Sequence, residues 1–509
     1  RKSGNEFYSK RNKNVLLLIE ERGRLMMSVL QGLEPENVFS YFEKICAIPH
    51  GSGNTKAISD FCVSFAKERG LRYRQDESNN VIIWKEGTEG YETSAPVIWQ
   101  GHLDMVCEKE SGCTIDFAND GVQLQYKDGF ISAKGTTLGG DDGIAVAFAL
   151  AILDSDDIPH PPLEVVFTVD EEIGMLGAAA LDCSDLKARA MLNLDSEEEG
   201  YLLVSCAGGV TTKARIPIAF EEENGYEALI TVNGLQGGHS GVEIDKGRGN
   251  ACQILGRVLY RLTQTCGIRI KTLSGGLKDN AIPREAQAVV LIGGEQRQAC
   301  RKETEALLSD IKNELALTDA GVQISLSLQE EEKRLPVMTE QTADNVLVAL
   351  LNYPAGIQKM SFAIPDLVQT SLNLGILETR ENEVVFSFSV RSSIESEKTA
   401  IVERIESLTK ALGGQADSHG EYPAWEYRQN SPLREMMIQI YREKYGKEPV
   451  IQALHAGVEC GIFAGCLPEL DCVSYGPDIF DIHTPKERMD VESVKRTWEY
   501  TLEILRRLR

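Results

Sequence analysis

The stretch Phe167-Thr-Val-Asp-Glu-Glu-Ile-Gly-Met-Leu-Gly-Ala178 constrains this chain more than any other. The β-branched, apolar run from Leu163 to Val169 predicts a buried strand. It stops in three consecutive acids, Asp170, Glu171 and Glu172, and Gly174 and Gly177 then lead into an alanine-rich helix. In an open α/β sheet, chemistry collects in the crevice beyond the carboxyl ends of the strands. Adjacent carboxylates there repel one another unless a cation lies between them. A divalent metal removes that repulsion and divides the labour: one carboxylate binds it while the other takes a proton from a metal-bound water. Strand-end acids also occur as plain solvated turns, so the reading depends on further ligands.

Further ligands follow the same layout. A strand at Val97–Trp99 runs into Gln100-Gly-His-Leu-Asp104. Residues two apart at a strand end point the same way, so Asp104 can orient a metal-binding His102 through its ring N–H. Gly135-Thr-Thr-Leu-Gly-Gly-Asp-Asp-Gly143 brings Asp141 and Asp142 just before an apolar helix, Ile144 to Leu153. An Asp N-cap is the alternative there. A phosphate loop is excluded, because Gly-Lys-Ser/Thr is absent and two acids repel phosphate. Ala190-Met-Leu-Asn-Leu-Asp195 is another apolar strand ending in an acid. Four parallel strands ending in ligands would converge on one sheet edge. A His/Asp/Glu set without Cys suits zinc, manganese or cobalt.

The chain has 509 residues, which predicts two domains or more. A formal net charge of −24 argues against nucleic acid or an anionic membrane as partner. No apolar run approaches the roughly 20 residues that cross a bilayer. Twelve cysteines without a C-x-x-C pair fit reduced thiols and a cytoplasmic location. Cys107, Cys206 and Cys460 lie near the motifs and are expected as small buried residues. Residues 1–26 carry seven Lys/Arg against three Glu, a balance of +4 that leaves −28 for the rest. Val15–Ile19 is too short for a signal segment. Residues 1–26 are read as a non-native or disordered extension, with the natural start at Met27.

Helices are expected at Pro35–Ile48 and Thr55–Gly70, the first with Val38, Phe39, Phe42, Ile45 and Cys46 on one face. From about Cys206 the pattern changes to alternating strands (Ala228–Val232, Ala288–Ile292, Val322–Leu328, Val384–Val390) separated by helices at Asn250–Gln264, Arg301–Leu315 and Glu395–Leu412. This predicts an antiparallel sheet with covering helices, a separate α+β domain. It holds Gly237-Gly-His-Ser-Gly241 and Asp279-Asn-Ala-Ile-Pro-Arg284. After Gly414 the α/β character returns, with a helix at Pro432–Tyr445, His455-Ala-Gly-Val-Glu459, a strand at Cys472–Tyr475, then His483 in a loop and a closing helix at Val491–Leu508. The fold class is therefore α/β: a catalytic domain with a mostly parallel central sheet and flanking helices (27–207 and 420–509), interrupted by an inserted lid (208–419).

Together these pieces resemble the co-catalytic zinc metallopeptidases that include carboxypeptidase G, aminoacylase-1 and the cytosolic dipeptidases. The ordered pattern His-x-Asp, Gly-rich loop with Asp, Glu-Glu, Asp, distal His is complete here. The match spans about residues 28–509 and extends to Cys46-Ala-Ile-Pro-His-Gly-Ser, Gly247-Arg-Gly-Asn-Ala, Asn280-Ala-Ile-Pro-Arg-Glu, His455-Ala-Gly-Val-Glu-Cys-Gly and Ile482-His-Thr-Pro. One departure is Gly-Gly-Asp-Asp-Gly, where Gly-Ala-Asp-Asn-Gly is commoner in the family; the Asp is kept.

The resemblance implies two Zn2+ per subunit, with Co2+ or Mn2+ as substitutes. Asp141 would bridge them, His102 and Asp195 completing one site and Glu172 and His483 the other. Asp104 would orient His102, and Glu171 would be the general base for a hydroxide held between the metals. His239 would contact the substrate carbonyl or carboxylate, and Asn280, Arg391 and His455 the substrate termini. The implied substrates are dipeptides, Xaa-His among them; an N-acyl amino acid amidohydrolase or a tripeptidase is the alternative. The protein would be a monomer or homodimer. A serine hydrolase built on Ser240 would leave five ligands unexplained. A scaffold without catalysis should have lost Glu171 or a ligand, and none is missing.

Overall fold

The computed structural model describes residues 28–509; the expectations for residues 1–26 and for a start at Met27 lie outside the described residues. The chain divides into two compact units. The first extends to Val204 and resumes over Arg428–Gln452 and Val458–Arg509, and the second comprises Ser205–Tyr427 and Ala453–Gly457. These borders differ from the expected 207/208 and 419/420 by a few residues. The larger difference is the short excursion Ala453–Gly457, which joins the second unit. The reason is local: the Ala207 N–H donates to the carbonyls of Leu454 and Ala456 at 3.0 and 3.1 Å, and His455 Nε2 meets Ser371 Oγ at 2.7 Å.

The first unit is built on an eight-stranded sheet in the order Arg72–Gln75, Val81–Lys85, Leu163–Thr168, Val97–His102, Ala190–Asn193, Asp471–Ser474, Tyr201–Cys206, Val450–Leu454. It is parallel at its centre, where Val97–His102 lies between Leu163–Thr168 and Ala190–Asn193 and the latter also pairs with Asp471–Ser474. Towards its flanks the pairings are antiparallel. Short connections such as Gln75 to Val81 permit only a hairpin, whereas helical crossovers return a strand parallel. The two central strands are buried along their whole length, which is why they read as continuous apolar runs.

The helix Gly140–Asp154 is buried on all sides up to Leu153, as an apolar helix without a polar face must be. Phe148 packs edge-on against Trp498 at 5.0 Å and lies 6.3 Å from Trp99, whose indole N–H donates to the Ala145 carbonyl at 3.2 Å. Each such ring contributes on the order of 1.5–3 kcal/mol by burial. Trp498 comes from the closing helix Val491–Arg507, whose N-cap Asp490 accepts from the Ser493 N–H at 2.9 Å.

Here one expectation is corrected. Asp141 does not follow a strand of the main sheet. The preceding strand, Phe130–Ala133, belongs to a separate four-stranded sheet with Leu124–Lys127, Ile479–Phe480 and Arg488–Asp490, and Asp141 sits at the head of the buried helix. The glycine-rich run leads from that separate sheet into the helix, and the apolar residues after it form the buried helix expected over Ile144 to Leu153.

The second unit is an antiparallel sheet in the order Gln323–Met338, Phe220–Asn233, Ala286–Ile292, Arg269–Gly275, Val368–Thr379, Glu383–Ser392, Gly208–Pro217, Gln415–Tyr422, with Gly356–Met360 paired to Val368–Thr379. Helices Ala251–Cys266, Arg297–Glu314, Glu340–Asn352 and Glu395–Ala411 accompany it. Its core includes Leu255, Leu259, Val346, Leu350, Phe386 and Phe388. Among the described residues no helix is long and apolar enough to cross a membrane, and no disulfide joins the cysteines. Cys206 and Cys460 are buried as expected, but Cys107 is exposed.

Candidate metal centre

The parallel strands deliver three of the expected residues side by side. His102 ends its strand opposite Thr168, three residues before Glu171, and Gln100 lies opposite Asn193, two residues before Asp195. His102 is 1% exposed. Its Nε2 faces Asp141 Oδ1 at 3.0 Å and Asp195 Oδ1 at 3.7 Å. His483 Nε2 faces the other oxygen of Asp141, Oδ2, at 3.2 Å and Glu172 Oε1 at 3.0 Å. Asp141 therefore turns one oxygen to each histidine. Ligands about 2.1 Å from a tetrahedral ion lie about 3.4 Å apart, which these separations suit. The groups His102–Asp141–Asp195, Asp141–Glu172–His483 and His102–Glu171–Glu172 each place ligand atoms close enough to share an ion.

The imidazole of His102 is fixed mainly by backbone. Its Nδ1 lies 3.0 Å from the Asp104 carbonyl, and the Asp104 carboxylate is farther, at 3.5 Å. That carboxylate accepts from Ser52 Oγ at 2.8 Å and from the backbone N–H groups of Glu171 and Glu172 at 3.0 and 3.3 Å. Asp104 thus holds the acidic turn and the histidine loop together. Asp170, with φ +57°, caps the N–H of Gly53 at 2.6 Å. His483 likewise adopts a left-handed backbone, φ +60°, a conformation that non-glycine residues hold only where their surroundings over-determine it.

Negative charge is in surplus. Burial pushes Glu171 up to about 9, opposed by His102 and reinforced by Asp195, Glu459 and Glu172. Burial also raises Glu197, to about 8, with Asp141 and Asp195 adding to it. Asp142, which accepts from the His102 N–H at 3.1 Å, is raised well above the carboxylate range by burial and by Asp195. For Asp141 burial is outweighed by hydrogen bonds to His102 and His483, and the pKa is lowered. Such a cluster cannot be fully ionised without added positive charge, and two histidines with converging carboxylates are a donor set that fits divalent ions.

Hydrogen bonds to Asp141 and Glu172 raise His483 to about 10. Burial lowers His102, but Asp104, Asp141 and Asp195 raise it well above 6.5. In the metal-free protein the His483 ion pair therefore stabilises the fold fully below about 6.5, and that contribution is lost as pH rises through about 10. A metal needs the free lone pairs at Nε2. Metal uptake at neutral pH is thus expected to release at least about two protons, one from each histidine, with the raised Glu171 adding to them, and to tighten on the order of 100-fold or more per pH unit. Calorimetry in buffers of different ionisation enthalpy measures this; uptake without proton release would contradict it.

Glu459 was not singled out from the sequence as a site residue. It is fully buried, and its Oε2 accepts from the Gln100 side-chain amide and from Thr168 Oγ1 at 2.6 Å, while the Asn193 amide donates to Gln100 Oε1. One network therefore joins the three strand ends that lead to His102, Glu171 and Asp195. Burial raises Glu459 to about 7, despite His102 nearby.

In the second unit, His239, Arg391 and His455 surround Gly241. A Cβ there would meet the His455 carbonyl at 2.5 Å, His239 Cε1 at 2.9 Å and Arg391 Nε at 3.2 Å. The backbone pairs His239 with Ala281, and the Ser240 N–H donates to the Asn280 carbonyl at 2.9 Å; the Asn280 side chain is exposed. His239 Nδ1 accepts from the N–H groups of Gly241 and Val242 at 3.2 Å each. This places the ring proton on Nε2, as a donor. Burial and Arg391 lower its pKa, and burial lowers His455 to about 3. Arg391 is 8% exposed; its Nη1 donates to Tyr422 Oη at 2.7 Å, and its Nε has no partner among the described residues.

A model of peptidase family M20/M25/M40 matches residues 98–507. The chain is 37% identical over 484 residues to the cytosol non-specific dipeptidase of Escherichia coli (strain K12), covering 95% of this chain and 99% of that one. The crystal structure of aminoacylhistidine dipeptidase from Vibrio alginolyticus matches with a TM-score of 0.86 at 34% identity, over 95% of this chain and 98% of that one. Aminopeptidase PepT from Bacillus cereus shares the fold, with a TM-score of 0.53 at 18% identity over 94% and 99% of the two chains. With the strand ends at His102, Glu171, Glu172 and Asp195 inside the matched span, this chain belongs to the M20/M25/M40 peptidase family.

Proposed function

We propose that this protein is a metal-dependent dipeptidase that hydrolyses the peptide bond of dipeptides, Xaa-His among them. The observation that carries the reading is Asp141, whose two oxygens face His102 and His483 with Asp195 and Glu172 alongside. Two relatives above 30% identity carry dipeptidase names. His102, Asp141 and Asp195 would hold one ion and Asp141, Glu172 and His483 the other. A bound pair of divalent ions, zinc with cobalt or manganese as substitutes, supplies Lewis acidity and an acidified water at neutral pH.

The residues divide the remaining work. Glu171 takes the proton of the attacking water and returns it to the leaving amine. Asp104 fixes the backbone of Glu171 and Glu172 and keeps the His102 ring in register. For His239 we propose donation from Nε2 to the substrate carbonyl oxygen as charge develops there. Arg391, with an unpartnered N–H, is suited to the substrate carboxylate, and Asn280 and His455 are proposed as further contacts to its termini. The free thiols and the relative's name support a cytoplasmic location; a monomer or homodimer is proposed.

The test is an assay of the metal-loaded protein on dipeptides, tripeptides and N-acetyl amino acids. Dipeptides are expected to give the highest kcat/KM. A preference for tripeptides or N-acetyl amino acids would replace this reading with the tripeptidase or amidohydrolase one.

A further inference from the structure

Asp141 must present one oxygen to each histidine, yet Asp141 and Asp142 are the residues of their helix whose backbone is not helical. The helical ladder does not fix them. Against the backbone just before them lies Glu487, 2% exposed. Its Oε2 accepts from the N–H groups of Leu138 at 2.8 Å and Gly139 at 3.3 Å, and its Oε1 from that of Gly140 at 2.8 Å. Three consecutive N–H groups around one carboxylate form an anion nest at the positive end of a helix.

The nest has little slack. Gly139 has φ +73°, and a Cβ there would fall 2.9 Å from Met105 Sδ; one at Gly140 would fall 3.3 Å from Glu487 Oε1. On the other side, the Glu487 N–H donates to the Thr484 carbonyl at 3.1 Å, closing the turn that begins beside His483. One carboxylate therefore ties the backbone before Asp141 to the turn carrying His483.

We propose that Glu487 is a positioning residue. By holding Leu138, Gly139 and Gly140 against the His483 turn, it sets Asp141 so that its two oxygens face His102 and His483 at once. The inference rests on the metal-site reading above. It reaches beyond helix capping, because a cap alone would affect stability and leave the two ligand groups unchanged.

The experiment compares wild type, Glu487→Gln and Glu487→Asp. Glutamine keeps the shape but turns an amide donor towards N–H donors; aspartate keeps the charge one methylene short. Metal-free proteins are titrated with Co2+, following the visible absorption band and the calorimetric stoichiometry, and kcat and KM are measured afterwards. Glu487→Gln is expected to bind at least one equivalent about 10- to 100-fold more weakly, with an altered band and a kcat lowered on the same scale. KM should change far less, and Glu487→Asp should lie between. A wild-type band, stoichiometry and kcat in Glu487→Gln, whatever its melting temperature, would overturn the clamp alone. Should that variant not fold, the same comparison with Glu487→Asp decides. A wild type that takes up no Co2+ would overturn the metal reading, and this inference with it.

Discussion

Exhaustive chelation is expected to abolish peptide hydrolysis by this protein, and zinc, cobalt or manganese to restore it. The expectation follows from charge. His102 and His483 face Asp141, Glu172 and Asp195 across 3.0 to 3.7 Å, with Glu171 close by. Removing cations leaves carboxyls that burial and mutual repulsion push towards neutrality, Glu171 to about 9 and Glu197 to about 8. The attacking water then has neither an activating charge nor an ionised base. Stability should follow activity: an ion at about 1,000 times its Kd contributes about 4 kcal/mol, which for a unit of this size is on the order of 10 °C in melting temperature. Full activity after chelation, verified by elemental analysis, would end the metallopeptidase mechanism.

The second large effect belongs to Glu171. Glu171→Gln preserves shape but removes the proton acceptor, and kcat is expected to fall at least about 100-fold with metal content unchanged. The sign of the pH dependence adds a check. A carboxyl raised to about 9 is protonated at pH 7 in the metal-free protein and is no base. Bound cations favour its ionised form, so the acid limb of kcat against pH in the loaded enzyme should lie well below 9, and Glu171→Gln should abolish that limb. Glu171 and Glu172 both come within ligand distance of His102, which makes the control informative. If Glu171→Gln loses metal and Glu172→Gln retains it, the two residues have exchanged roles.

What the sequence made legible was local. A strand followed by an acid is written in adjacent residues, so His102, Glu171, Glu172 and Asp195 could be placed on parallel strand ends, and those strands do lie side by side. Asp141 was legible as a residue at the head of an apolar helix, but the strand before it was not legible as part of a separate sheet, because strand pairing across sheets is not written in adjacent residues. Glu459 and Glu487 escaped because each is a single acid whose partners are remote: Glu487 meets Leu138 across 349 positions and Glu459 meets Thr168 across 291. Asp104 shows the same limit on a smaller scale. Its spacing from His102 suggested a carboxylate–imidazole pair, whereas the nearer acceptor for the ring is its own carbonyl. The helix Glu340–Asn352 and the strand Val368–Thr379 lie where apolar residues are interleaved with Thr, Asn and Ser, and periodicity alone left them unassigned.

The excursion Ala453–Gly457 governs how the second unit could be inherited or transplanted. A gene fragment spanning Ser205–Tyr427 encodes its sheet and helices but leaves out the strand of chain that seats His455 against Ser371 and packs its carbonyl against Gly241. Swapping that fragment between relatives would therefore exchange His239 and Arg391 while His455 stayed with the recipient. Chimaeras of this kind would unite a pocket from two parents, and grafting specificity requires moving both pieces of chain together.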